Sequence, residues 1–456
     1  MTAIPEIMQK QRAFFRTQKT KDIAFRRDAL KRLVKVLKDF EPQILEALKA
    51  DLNKSATEAY MCEIGMCLAD LSEAIGHLRS WSKPRWVWTP LSQFPASSYV
   101  HPEPLGLTLV ISPWNYPLML ALTPLIASLA AGNCCILKPS EMAPATSRVM
   151  KEMLASIFPE DYVAVIEGGV ETSTELLAQS FDHIFYTGGG AVAKIVMAAA
   201  AKHLTPVTLE LGGKSPCIVD KKVNIKLAAT RIAFGKILNA AQTCVAPDYL
   251  LIHRSVKDAF IEEFKKAVQK MLGDKPLENP NYTRIINERH FQRLLKLMAG
   301  QRVICGGGID GEQLLIEPTL IEADVNAPIM QEEIFGPLMP VLSYDELDEV
   351  EDYVLNHDKP LACYIFTSDK KTEKRLLRNI SYGGGCINDT IVHLAVPNLP
   401  FGGVGGSGMG RYHGKYGFDC FSHQKAIMRK ARWLDLPFRY QPFNGLKDWV
   451  LRLFLR

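Results

Sequence analysis

The chain has 456 residues, 47% hydrophobic and 23% charged, the balance of an ordinary globular protein with room for two or three domains. A net charge of +5 over that length, with no basic tract interleaved with aromatics, gives no case for nucleic acid. Ten cysteines without a Cys-x-x-Cys pair or a Cys/His cluster of zinc spacing argue against a metal site or a disulfide scaffold and fit reduced thiols in a cytoplasm. The first residues are charged throughout and lack the apolar core of a signal peptide, and no run reaches the ~18 apolar residues of a membrane span.

In chain order, residues 5–82 read as helical, because apolar residues recur at helical spacing from Ala29 to Phe40 and from Ile44 to Leu52. Prolines at 84, 90, 95, 102 and 104 then break the pattern. Trp86, Trp88 and Tyr99 lie among them, and the segment reads as an extended arm that leaves the globule and returns. From residue 105, strands 107–112, 134–137, 163–166, 183–186 and 206–210 alternate with helices 117–131, 143–158, 172–179 and 192–202. Short connections between such units predict a parallel, doubly wound sheet. After Gly212 and Gly213 the alternation starts again, with strands 217–219, 249–253, 303–304, 319–321, 339–342 and 363–366. Helices 226–238, 255–272, 287–299, 346–355 and 371–379 separate them, so a second α/β domain is expected.

Cys244 sits on a polar break between the helical run ending at Leu238 and the strand starting at Tyr249. A thiol on such a loop reaches a substrate while its scaffold stays rigid. Gly188, Gly190 and Ala193 satisfy G-x-G-x-x-G/A at a strand–turn–helix junction, where a backbone approaches a pyrophosphate; a tight turn without ligand explains the pattern equally well. The usual rule would make Glu210 the ribose binder. It instead precedes Leu211, Gly212 and Gly213, at the junction of the two α/β regions where a catalytic cleft lies. Lys138 and Glu141, at the end of a strand, are better placed to bracket adenosine hydroxyls, with solvated loop charges as the plain alternative. Asn115, on a turn between Pro113 and Pro117, is a candidate donor to an oxyanion. Taken singly, these are also a buried thiol, a capping carboxylate and a turn asparagine, and no spacing rule links them.

Six segments decide between those readings: 113–117 (Pro-Trp-Asn-Tyr-Pro), 137–141 (Leu-Lys-Pro-Ser-Glu), 209–216, Gln242-Thr243-Cys244, 332–337 (Glu-Glu-Ile-Phe-Gly-Pro) and 400–405. In this order they resemble the aldehyde dehydrogenase superfamily over essentially the full chain. The short N-terminus and residues 408–414 resemble its class 3, fatty and aromatic aldehyde branch and bacterial relatives. The resemblance implies an α/β fold with a Rossmann-type cofactor domain (1–83 and 105–210), a catalytic domain (211–412), a small β oligomerisation arm (84–104 and 413–440) and an amphipathic tail (441–456). It implies Cys244 as nucleophile, Glu210 as general base and Asn115 as oxyanion donor. Lys138 and Glu141 would bind the adenosine ribose, Gly188, Gly189 and Gly190 would lie near the pyrophosphate, and Glu333 would hold the nicotinamide ribose beside Phe335. Tyr116 and Phe401 would line the aldehyde channel, with apolar core as an equal reading.

The chain departs from the family pattern at Ala241, where a glycine is usual, at Gly189, Gly190 and Ala193 in the turn, and at Gly406. The expected activity is NAD(P)-dependent oxidation of medium or long aliphatic or aromatic aldehydes to acids, with NAD ahead of NADP because a glutamate at 141 repels a 2′-phosphate. A coenzyme A-acylating enzyme is an alternative that would need no hydrolytic base, so Glu210 argues against it. A non-enzymatic ligand-binding or structural protein would have no use for the triad of Cys244, Glu210 and Asn115. The arm and the resemblance suggest a homodimer. The apolar, basic tail from Leu446 to Arg456 suits packing on its own or a partner subunit, ahead of a cap on the substrate mouth or a membrane contact.

Overall fold

Runs such as Leu107–Ile111 and His183–Thr187 are apolar or aromatic at nearly every position, which suits strands buried on both faces. The computed structural model describes residues 3–455, and both runs are fully buried strands at the centre of a six-stranded sheet. Its order is Gly408–Met409, Val207–Glu210, His183–Thr187, Leu107–Ile111, Cys134–Lys138 and Val163–Val165. All pairings are parallel except the first, where Gly408 lies opposite Glu210. Helix Met119–Ala131 is apolar on nearly all sides and correspondingly buried along its length.

The N-terminal helices cover this sheet. Asp22 caps helix Ile23–Asp39 by accepting from the Ala24 N–H at 2.9 Å, and beyond helix Glu41–Leu52 Ser55 caps a further helix by accepting from Glu58 N–H at 3.2 Å. That helix starts at Ala56, widens into a π-helical turn at Tyr60–Ile64, and continues as Gly65–Trp81. Such turns add a residue to the ladder and re-aim the side chains they carry.

The second sheet has seven strands in the order Arg302–Cys305, Thr319–Glu322, Leu338–Tyr344, Tyr249–His253, Pro216–Val219, Ala362–Phe366 and Gly384–Ile387. Only the Arg302–Cys305 edge runs antiparallel. The segment expected as an extended arm forms a three-stranded antiparallel sheet of Arg85–Val87, Ala96–Pro104 and Ser422–Lys430. Between the body and its last strand, helix Gly414–Cys420 lies against the first domain, with Phe418 5.7 Å from the Trp81 ring. The tail forms helix Gly445–Phe454, with Leu446, Trp449 and Leu453 exposed. No helix among the described residues is long and apolar enough to cross a membrane.

One buried lysine ties two loops beside the second sheet. Lys236 is 1% exposed, and its Nζ donates to the carbonyls of Pro247 (3.1 Å) and Gly336 (2.8 Å). Burial pulls its pKa down to about 7. From there up to its ordinary value, the unfolded chain holds a proton that the folded chain has shed, so this lysine's contribution to stability rises with pH across that window. Thermal melts at pH 7 and pH 9.5 should therefore show the wild type gaining stability relative to Lys236→Met as pH rises; parallel curves would refute a buried, proton-shedding lysine.

Candidate active site

The site is built on an unfavourable turn. Helix Ile225–Ile237 runs into Asn239, Ala240 and Ala241, whose φ values are 52°, 49° and 55°. A left-handed conformation costs a non-glycine residue about 1–2 kcal/mol. Side-chain hydrogen bonds hold the turn against that cost. Asn239 donates its backbone N–H to Glu58 Oε1 (2.9 Å) and its Nδ2 to the carbonyls of Asn115 (2.9 Å) and Gln242 (3.0 Å). Gln242 donates to the carbonyls of Asn239 (3.1 Å) and Arg284 (2.9 Å) and accepts from Ile286 N–H (3.0 Å). Asn115 Nδ2 donates to the Gln242 carbonyl at 2.9 Å, and Tyr116 and Thr243 share a hydroxyl hydrogen bond of 2.7 Å. Beyond the thiol, the Tyr364 hydroxyl donates to the Val245 carbonyl. The loop carrying Cys244 and the turn carrying Asn115 are therefore one hydrogen-bonded unit.

Both border a cleft of about 360 Å³ at the carboxyl ends of the first sheet's parallel strands, where α/β proteins bind ligands. Strand Leu107–Ile111 leads to Asn115, strand His183–Thr187 leads to Gly188 and Gly189, and strand Val207–Glu210 ends in Glu210. Cys244, Glu333 and Phe335 enter from loops of the second domain. Gly190 opens the helix Gly190–Ala201 just behind this lining. Lys138 and Glu141 lie outside it, at the end of the neighbouring strand, paired with each other at 2.8 Å. Tyr116 lines a second cavity of about 130 Å³, together with Met61, Met66, Met119, Phe234 and Ile391. Phe401 borders neither cavity; its ring stacks on His413 at 5.1 Å and meets Tyr412 edge-on.

The cleft favours uncharged acids. Glu210 is 2% exposed, neither carboxyl oxygen has a hydrogen-bond partner among the described residues, and burial lifts its pKa well above the carboxylate range. Glu333 is raised to about 8, by burial first and by Asp248 second, against the Gly213 N–H, Lys214 and Arg293. Its carboxyl lies where a Cβ on Gly212 would stand, so a side chain there would displace it. Burial, then Glu333 and Glu210, push the Cys244 thiol far up; the N–H groups of Cys244 and Val245, hydrogen-bonded to the sulfur, oppose them. A thiol, a side-chain amide and an unpaired carboxyl thus share one cleft, an arrangement that can support covalent acyl chemistry.

Motif reasoning passed over part of the lining. Trp114 packs at 5.1 Å from His290 and 5.4 Å from Phe335, forming an aromatic wall of the cleft. His290 and Arg293 come from helix Glu288–Met298, whose amphipathic pattern carries no mark of a cleft. Trp114, by contrast, lies inside a segment the sequence had already singled out.

Comparison with known proteins agrees with this geometry. The family model described as the aldehyde dehydrogenase family matches residues 2–427. The chain is 47% identical over 457 residues to the 4,4′-diaponeurosporen-aldehyde dehydrogenase of Staphylococcus aureus, covering 100% of both chains. It is 45% identical to aldehyde dehydrogenase family 3 member A2 of Rattus norvegicus, covering 93% of this chain and 88% of that one. A solved structure described as the substrate-bound state of Staphylococcus aureus AldH superposes with a TM-score of 0.98 at 46% identity, covering 100% of both chains. An indole-3-acetaldehyde dehydrogenase solved with NAD+ gives 0.85 at 26% identity, covering 93% of this chain and 88% of that one. With the thiol, the amide and the carboxyl converging at the sheet's carboxyl edge, the chain belongs to the aldehyde dehydrogenase family and is an NAD(P)-dependent oxidoreductase of aldehydes.

Proposed function

We propose that the protein oxidises apolar aldehydes to carboxylic acids through a thioester on Cys244. The observation that carries this reading is the convergence of Asn115, Glu210 and Cys244 on one cleft. Cys244 gives up its thiol proton to water in the cleft and its sulfur adds to the aldehyde carbon, while Asn115 Nδ2 with the Cys244 N–H hold the oxyanion, each donor worth roughly 3 kcal/mol in comparable sites. When bound, the nicotinamide coenzyme supplies the acceptor for the hydride that leaves the adduct carbon. Glu210 then takes a proton from water, the hydroxide attacks the thioester, and the acid and free thiol are released. The raised pKa of Glu210 makes it a stronger base than an ordinary carboxylate, at the cost of being charged only at higher pH.

The residues present fit a dinucleotide. Helix Gly190–Ala201 has no side-chain cap, and a Cβ at Gly189 or Gly190 would meet nothing within 4 Å, so a pyrophosphate has access to its N–H groups. Lys138, buried and paired with the half-exposed Glu141, would hold the adenosine ribose, and Glu333 the nicotinamide ribose. A second negative charge beside Glu141 is disfavoured, so NAD is preferred over NADP.

The aldehyde's chain would occupy the cavity lined by Met61, Met119 and Phe234, whose walls are almost wholly apolar. Tyr116 would stand at its inner end, where its hydroxyl bonds to Thr243 beside the nucleophile. Phe401, packed against Tyr412 and His413, fits the core reading better than the channel. The arm is the surface we assign to a homodimer, because Trp86, Trp88 and Leu91 stand exposed on it. The exposed apolar face of the tail helix fits packing on that second subunit. Free cysteines throughout suit a cytoplasmic setting.

Cys244→Ala should abolish turnover, and substantial residual dehydrogenase activity would defeat the assignment. Glu210→Gln should keep the pre-steady-state burst of NADH and lower steady-state turnover about 100-fold. It should also remove a rise in kcat that the wild type shows above the ordinary carboxylate range; an unchanged pH profile would remove Glu210 as the base. Glu141→Gln should narrow the NAD-over-NADP ratio of kcat/KM roughly tenfold, about 1.4 kcal/mol. Across straight-chain aldehydes, kcat/KM should climb with length at up to ~0.8 kcal/mol per buried methylene, and Met61→Asp should flatten that climb while sparing the shortest substrates. A series indifferent to length would assign the cavity another role.

A further inference from the structure

The sequence marks the oxyanion turn by its own residues, but what holds that turn lies more than fifty residues earlier. Lys54 and Glu63 form an ion pair of 2.6 Å with both side chains fully buried. Two charges withdrawn from water cost several kcal/mol each and are seldom a net gain in stability. The pair's remaining hydrogen bonds all go to one turn. Lys54 Nζ donates to the Asn115 carbonyl at 2.9 Å and lies 4.1 Å from the centre of the Tyr116 ring. Glu63 Oε2 accepts from the N–H groups of Leu118 (2.9 Å) and Met119 (3.0 Å), capping helix Met119–Ala131, whose own N-cap residue supplies no side-chain bond. The residue between them in this account, Glu58, accepts from the Asn239 N–H at 2.9 Å and so reaches the nucleophile loop from the same helix. The π-helical turn at Tyr60–Ile64 delivers Glu63 to this point.

We propose that Lys54 and Glu63 are positioning residues for the oxyanion donor. The lysine fixes the Asn115 carbonyl, the glutamate fixes the amides three and four residues on, and the Asn115 side chain is aimed from a turn clamped at both ends. The inference rests on the reading of Asn115 as that donor. A donor displaced by 1 Å loses about 100-fold in rate, which is the scale on which such a clamp acts.

The test is the double variant Lys54→Met/Glu63→Gln. It removes both charges together, fills the lysine's volume, and keeps a carbonyl oxygen for the Leu118 and Met119 amides. The rate constant of the NADH burst per titrated thiol should fall about 10- to 100-fold, with coenzyme KM and Tm near the wild-type values. Added to Asn115→Ala, the same pair should have no further effect. A wild-type burst in the double variant, or losses that multiply with Asn115→Ala, would overturn the positioning role. Asn115→Ala alone separates the two readings: if it retains a wild-type burst, the oxyanion assignment fails, whereas a slow Asn115→Ala beside an unimpaired double variant sinks only the clamp. Should the double variant not fold, Glu63→Gln alone keeps the cap and loosens the lysine's anchor. Its burst should then slow several-fold at unchanged coenzyme KM, and an unaltered burst would count against the proposal.

Discussion

Asn239 is the residue on which the active centre is hung. Its side-chain amide joins the carbonyls of Asn115 and Gln242, while its backbone, forced left-handed, turns the chain out of helix Ile225–Ile237 toward Cys244. That amide is one of several bonds that join the two sheets' loops: Asn115 follows a strand of the first sheet, and Gln242 precedes Cys244 on the way to a strand of the second. Asparagine tolerates this conformation better than most residues, because its short polar side chain bonds locally. Ala240 and Ala241 have no such help, and Ala241 occupies the place where the family usually carries glycine. Its methyl is accommodated with no exposure at all, and its left-handed backbone carries strain that a glycine would not.

Electrostatics then decide what the cleft holds at rest. The carboxyls of Glu210 and Glu333 and the thiol of Cys244 are all pushed toward their neutral forms by burial, and the two carboxyls add to the push on the thiol. Three buried anions would be costly to desolvate together, and the neutral forms avoid that cost. The lysines nearby answer other needs. Lys214 pairs with Asp248, Lys236 ties two carbonyls, and Lys54 serves Glu63 and Asn115.

Much of this architecture was readable in the residues. Apolar runs such as 134–137, 249–253 and 363–366 gave their strands because a buried parallel strand needs little else. Gly384–Ile387 escaped notice, since glycines have no strand preference and this edge is held by backbone pairing with Ala362–Phe366. Gly408–Met409 is too short to show a period, and the polar strand Ser422–Lys430 is defined by its nine partners in the arm, not by its own pattern. In the site, Cys244, Asn115 and Glu210 stood out through the segments that carry them. Lys54 and Glu63 did not, because on a helical stretch two opposite charges nine residues apart look like solvated surface, and only the fold turns them inward.

The protonated resting thiol has a consequence for endurance. Peroxides attack thiolates, and the ladder from sulfenic to sulfonic acid begins there. Burial first, and Glu333 and Glu210 after it, push the Cys244 sulfur toward its thiol form, which such oxidants attack more slowly than the thiolate. The burial that shapes the cleft thus also shelters its one thiol from that chemistry.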